Sequence, residues 1–151
     1  PQLLGRLSEL NNVDYVKESS GDVTRVREID RLSEGRMIVF SGYHAFDSFL
    51  VGAKGYVSVC GNIVPKLSAD LYRLVIEESD VAAGRELYHS LLPLLDAISG
   101  DLYVSATKTA MGMVGMPVGP PRMPRLPVPQ EHGLKIQAVL DELGVLAARA
   151  A

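Results

Sequence analysis

The segment Val13-Asp14-Tyr15-Val16-Lys17-Glu18-Ser19-Ser20-Gly21-Asp22 decides how this chain is read. A short apolar run delivers one lysine to its end, then breaks into a turn of small residues that leads into a helix. A lysine whose four-carbon stem is drawn into a strand end is favoured in its neutral form, and a neutral amine is a nucleophile. Imine formation with a carbonyl compound needs such a group. The other reading is that Lys17 leaves the sheet for solvent, as most lysines do. In the turn, Asp22 or Ser20 is placed to cap the following helix, with Arg25 and Arg27 on its outer face.

Two further strands follow. Met37-Ile38-Val39-Phe40-Ser41-Gly42 reads as a strand and turn, and Gly55-Tyr56-Val57-Ser58-Val59-Cys60-Gly61-Asn62 as a third strand. Between them Val23, Val26, Ile29 and Leu32 recur at three-residue steps, and Phe46, Phe49 and Leu50 fall at i, i+3, i+4, which is helical spacing. Strand and helix in alternation predict right-handed βαβ units and a parallel sheet. Sites in such folds gather at the carboxyl ends of the strands, where Lys17 and the Ser41-Gly42 turn both lie.

These residues carry a resemblance. Tyr15 to Asp22, Phe40-Ser41-Gly42, and Gly55 to Val59 with Asn62 resemble the last three strands of the barrel in the dihydrodipicolinate synthase and N-acetylneuraminate lyase family of pyruvate-handling class I aldolases. Ser105-Ala106-Thr107-Lys108-Thr109-Ala110 and the run from Gly119-Pro120-Pro121-Arg122 to Pro129 resemble that family's helical carboxyl-terminal extension. The resemblance implies an α/β fold, a (β/α)8 TIM barrel of which only the last three strands and helices are here, plus the extension. Residues 1–78 are then the carboxyl-terminal part of the barrel and residues 79–151 the extension with its proline-rich strap. A complete barrel takes ~250 residues, so the chain is expected to be the carboxyl-terminal half of a longer enzyme. Alone, it would leave two unpaired sheet edges and the inner barrel face in water.

The resemblance also implies a chemistry. Lys17 forms an imine with the ketone of pyruvate or a related 2-oxo acid, and the same lysine then serves aldol condensation, aldol cleavage or dehydration. By the same resemblance Gly42, Val57 and Ser58 border the bound ketoacid, and the missing side chain at 42 lets the backbone approach a ligand closely; the other reading makes them ordinary turn and core residues. The family's proton-shuttle tyrosine and its carboxylate-binding hydroxyl motif have no match here, and Tyr15 is assigned to packing. After Ser-Gly, synthase-like members carry an acidic pair and sialic-acid lyases place acidic residues one step later. This chain has Tyr43-His44-Ala45-Phe46, which argues against a polyhydroxylated acyl sugar. His44 either contacts a distal group of the substrate or sits in solvent at a helix start. Two alternatives remain beside a dihydrodipicolinate synthase-like enzyme: a 2-oxo sugar acid aldolase or dehydratase using the same lysine, and a non-catalytic half-barrel that needs a partner half. The resemblance implies a homo-oligomer, dimer or tetramer.

Composition sets the outer limits. In 151 residues, 47% apolar content supports a buried core, and a net charge of −3 gives no basic footprint for nucleic acid. Mean hydropathy is +0.14, yet no apolar run reaches the ~20 residues needed to span a bilayer. The single cysteine, Cys60, cannot form an internal disulfide, which suits a cytoplasmic protein, and its place beside an apolar strand predicts a buried, inert thiol. His89 and His132 are isolated, so no metal set is expected, and the lysine chemistry needs no cofactor.

The second half reads as helices. Asn62 and Pro65 open one with Leu67, Leu71, Leu74 and Val75 on a face. Asp80 caps the next, which carries Leu87, Leu91, Leu94 and Leu95, and Pro93 within it predicts a kink or short break. Ser105 is expected to cap a third helix through about Val114. Six of the nine prolines crowd between Pro117 and Pro129, a stretch expected to form an extended, packed strap. The last helix is expected from Gln130 to Leu146, with Leu134, Val139, Leu140 and Leu143 available for packing.

Overall fold

The computed structural model describes residues 1–146. Residues 147–151, the end of the segment assigned to the extension, lie outside the described residues. In chain order the elements are α1 (Gln2–Leu7), β1 (Tyr15–Glu18), α2 (Thr24–Leu32), β2 (Ile38–Ser41), α3 (Ala45–Leu50) and β3 (Gly55–Tyr56). After a 3₁₀ turn at Cys60–Asn62 come α4 (Pro65–Tyr72), which runs on into a π turn at Arg73–Glu77, α5 (Val81–Ala97), α6 (Tyr103–Met113) and α7 (Gln130–Glu142).

The chain divides into two compact units. The first comprises Pro1–Ser58 and Leu71–Arg85. Its sheet has the order β1-β2-β3, every pairing parallel, with Lys17 opposite Phe40 and Phe40 opposite Gly55. Side chains alternate across a strand, so one face carries Val39 and Ser41, both buried toward the helices, and the other carries Tyr15, Lys17, Ile38 and Phe40. Val26 and Ile29 of α2 and Phe46 and Phe49 of α3 are buried, as their spacing predicts, whereas Leu50 stays exposed. Gly5 brings α1 against α2 so closely that a methyl group there would fall 2.9 Å from the Leu32 carbonyl oxygen. Phe49 is met edge-on by Tyr56 and Tyr72, with ring centroids 5.5 and 6.0 Å away.

The second unit comprises Val59–Asp70 and the described residues from Glu86 on. Its core gathers Ile63, Val64, Leu91, Leu94, Ala106, Ala110, Val114, Ile136 and Leu140 around Cys60. A fully buried leucine such as Leu94 contributes about 2 kcal/mol relative to exposure. Four expectations are corrected here. The third strand is only two residues long, because at Cys60 the chain has already turned into a 3₁₀ turn. Pro93 causes no break: α5 runs from Val81 to Ala97. The carbonyl it deprives of a partner is that of His89, and both residues are exposed, so that carbonyl is open to solvent. Ser105 does not cap α6 but lies inside it, buried, its hydroxyl donating to the Leu126 carbonyl at 2.7 Å. The last helix ends at Glu142 and buries Ile136, Val139 and Leu140, with Leu134 left outside.

The proline-rich stretch is irregular from Pro117 to Pro129 and is tied to α6 at two points, by Ser105 and by the Lys108 ammonium, which donates to the Val118 carbonyl at 3.0 Å. Asp80 does cap α5, accepting from the Ala83 N–H at 3.0 Å.

Candidate active site

Lys17 is the third residue of β1, on the sheet face opposite the helices. Its side chain is exposed rather than drawn into cover, because among the described residues no layer lies over that face. Tyr15, two residues earlier, is 64% exposed, and its ring rests on Phe40 with centroids 6.2 Å apart. The packing role assigned to Tyr15 is thus met by one neighbour. Phe40 in turn occupies the space above Gly55, where a methyl group would fall 2.6 Å from the ring.

Past Lys17 the chain is latched to α2. The Glu18 side chain points to the helix side, only 9% exposed, and accepts from Arg25 Nε at 3.1 Å. It also accepts from the Ser20 hydroxyl at 2.9 Å and the Ser20 N–H. Asp22 closes the turn by accepting from the Thr24 hydroxyl at 2.7 Å and its N–H at 3.0 Å. Those two bonds, the hydroxyl's first, hold the Asp22 carboxyl below the usual carboxylate range.

The turn after β2 meets this loop. The Gly42 N–H donates to the Glu18 carbonyl at 2.7 Å. A methyl group at 42 would fall 2.1 Å from Ser19 Oγ, 2.9 Å from Lys17 Cε and 3.0 Å from the Glu18 carbonyl oxygen. Glycine at this position therefore lets the lysine stem lie against bare backbone. The Val57 N–H donates to the Ser41 carbonyl at 2.8 Å, carrying the ladder one step past β3, and the Val57 side chain is 50% exposed. Structure thus brings Lys17, Gly42 and Val57 to one end of the sheet. Ser58, half-buried, and His44, exposed, make no hydrogen bond to Lys17 among the described residues.

His44 takes the left-handed conformation, φ 51° and ψ 53°, immediately before α3. A residue with a Cβ there costs on the order of 1 kcal/mol, which the surroundings must offset. The offset comes from two buried hydroxyls to which the sequence reading gave no role. Ser41 Oγ donates to the Tyr43 carbonyl, Ser48 Oγ lies 3.3 Å from the same oxygen, and the two hydroxyls are 3.0 Å apart. A serine pair seven residues apart, one in a strand and one in a helix, matches no hydrophobic period, so only the fold could reveal it.

Elsewhere, burial pushes the Cys60 thiol up to about 11, a rise that its hydrogen bond with Ser68 partly opposes. Among the described residues no group of three or more His, Cys, Asp or Glu side chains is placed to hold a metal ion, and no helix is long and apolar enough to cross a membrane.

Parallel strands in sequential order, a helix after each of the first two, and a lysine near the carboxyl end of the first make this a partial (β/α)8 barrel with a helical extension. The chain belongs to the dihydrodipicolinate synthetase family, whose sequence profile matches residues 1–143. It is 31% identical over 153 aligned positions to the 4-hydroxy-tetrahydrodipicolinate synthase of Archaeoglobus fulgidus, covering 97% of this chain and 51% of that protein. Among solved structures it is similar to a Pseudomonas aeruginosa protein described as a dihydrodipicolinate synthetase, with a TM-score of 0.86 and 37% identity over 94% of this chain and 50% of the other. The Acinetobacter baumannii dihydrodipicolinate synthase complexed with pyruvate superposes with a TM-score of 0.87 at 26% identity, over 94% of this chain and 49% of that one. The chain spans about half the length of the relatives it matches.

Proposed function

We propose that this chain supplies the imine-forming part of a dihydrodipicolinate synthase-like lyase acting on pyruvate or a related 2-oxo acid. The observation that carries the reading is the Lys17 stem lying against the Gly42 backbone at the carboxyl end of β1. The pyruvate complex of the Acinetobacter relative supports the choice of 2-oxo acid.

The chemistry runs through the lysine. Neutral Nζ attacks the keto carbon, and the carbinolamine hydroxyl takes up a proton and leaves as water, giving a protonated imine. That imine acidifies the neighbouring carbon, which loses a proton to form an enamine. The enamine carbon then bonds to an aldehyde carbon in condensation, or the same steps run backward in cleavage. Hydrolysis returns the free amine. Gly42, Val57 and Ser58 form one wall of the pocket and His44 stands at its mouth. The proton-transfer group, the carboxylate-binding group and the cover over Lys17 are assigned to the half of the relatives' length that this chain does not span. Such a protein works as a homo-oligomer in the cytoplasm, the latter in keeping with one unpaired cysteine.

A second reading starts from Tyr43-His44, which stand where synthase-like members carry an acidic pair and so leave the second substrate open. It makes the protein an aldolase or dehydratase of a 2-oxo sugar acid through the same lysine. The test is borohydride reduction of the natural full-length protein with pyruvate. A mass increase on the peptide containing Lys17 is the expected result, and a peptide left unmodified in a folded sample by pyruvate and by each 2-oxo sugar acid in turn counts against imine chemistry. Steady-state assays with aspartate semialdehyde plus pyruvate, then with a panel of 2-oxo sugar acids, separate the two enzymatic readings.

A further inference from the structure

We propose that Ser41 and Ser48 are positioning residues for Lys17: their paired hydroxyls grip the Tyr43 carbonyl and so press the 42–44 turn against the lysine stem. The inference rests on the Schiff-base reading given above. Both serines are almost fully buried, 1% and 2% exposed, so neither hydroxyl has water as an alternative partner. They come from different elements, Ser41 from the last position of β2 and Ser48 from the middle of α3. Their shared target is the carbonyl of the residue between Gly42 and the left-handed His44. Gripping that carbonyl fixes the peptide plane joining Tyr43 to His44, and thereby the backbone of Gly42 on its other side.

Gly42 is where this matters for the amine. Its N–H is bonded to the Glu18 carbonyl at 2.7 Å, and its α-carbon faces Lys17 Cε and Ser19 Oγ with no room for a methyl group between them. A turn that drifts outward frees the lysine stem, and one that drifts inward displaces it. Neither serine touches the reacting carbon, so the effect is on where Nζ stands. Misplacing a reacting atom by about 1 Å is enough to cost on the order of 100-fold in rate.

The experiment compares two isosteric replacements in the natural full-length protein. Ser41→Thr keeps the hydroxyl and Ser41→Val does not, while both add a comparable volume, so their steric cost is shared. Single-turnover trapping by borohydride, with pyruvate as the probe, reads the rate of imine formation on Lys17. The expected result is that S41T traps at the wild-type rate within about 2-fold and S41V is slower by about 10-fold, both read at a temperature where each variant is fully folded. Equal trapping rates in S41T and S41V overturn the positioning role while leaving the imine reading intact. A wild-type protein that traps no pyruvate overturns both. Should position 41 tolerate neither side chain, Ser48→Ala, which only removes an oxygen, is expected to slow trapping by about 3-fold, and a rate equal to wild type overturns the inference.

Discussion

At position 42 the space a methyl group needs is already occupied, and the three occupants yield differently. Ser19 Oγ can swing away at the end of an exposed side chain. The Glu18 carbonyl belongs to backbone that itself binds the Gly42 N–H, so it moves little. Lys17 Cε lies between these cases, since its stem turns on single bonds. Gly42→Ala is therefore expected to cost about 1–2 kcal/mol of stability by overpacking, while slowing imine formation by about 10-fold or more through the displaced amine. Thermal melts and borohydride trapping measure the two effects separately, and a slow-trapping variant of unchanged stability would show that Ser19 and the lysine alone gave way. Cys60 makes the second residue-scale prediction. Its thiol is raised from 9.0 to about 11 in the folded state. Between those values the unfolded chain loses the proton and the folded chain keeps it. Stability is thus full below pH 9 and falls as pH rises toward 11, by about 2–3 kcal/mol. Cys60→Ala should remove that part of the alkaline slope, seen as the difference between the two proteins' melting curves from pH 8 to 11. That Lys17 and Gly42 lie side by side was legible because both stand at the end of a strand–turn pattern. The serines were not, since a hydroxyl bonded to a turn carbonyl leaves no periodic trace.

Elements were legible in proportion to how local their causes are. The cap of α5 by Asp80 is a contact between residues three apart, and sequence suffices for it. The length of β3 depends instead on where the neighbouring strand stops offering partners, and the chain turns at Cys60 before its apolar run is over. Ser105 looks like a helix cap from its neighbours, but its partner, the Leu126 carbonyl, is 21 residues away. Pro93 gives the sharpest case. A proline inside a helix forfeits one backbone bond and crowds the preceding turn, yet α5 continues past it to Ala97. The forfeited bond involves His89, on an exposed stretch of the helix where water can substitute. The cost of the proline is then real but bearable, and Pro93→Ala should recover about 1–3 kcal/mol by restoring the bond and removing the clash. A denaturant melt followed by circular dichroism checks it. An unchanged or lowered midpoint would mean that the helix is shaped around the ring.

For the molecule as a whole, the sheet has one face served by helices and one without cover among the described residues. Tyr15, Ile38, Phe40 and Val57 stand on or beside the open face with Lys17 among them, and the outer edges of β1 and β3 have no strand partner among the described residues. Length already pointed to this, because three strands are too few to close a barrel, and the chain spans about half of its relatives. The face that such a half-barrel is expected to leave in water is the one that carries Lys17, which is exposed. An apolar face of this kind is at home in a completed barrel and a liability in water. The same substitutions should then act with opposite sign in two settings. Tyr15→Glu combined with Val57→Glu places charge on the face. In the 151-residue chain expressed by itself, that should reduce self-association, measured by sedimentation velocity. In the natural full-length protein the same two carboxylates would lie inside the barrel, lose the burial of a tyrosine and a valine, and lower stability by about 4 kcal/mol or more. A double variant that behaves alike in both settings would mean that this face stays wet in the complete protein. The lysine would then have no dry pocket in which to begin its chemistry.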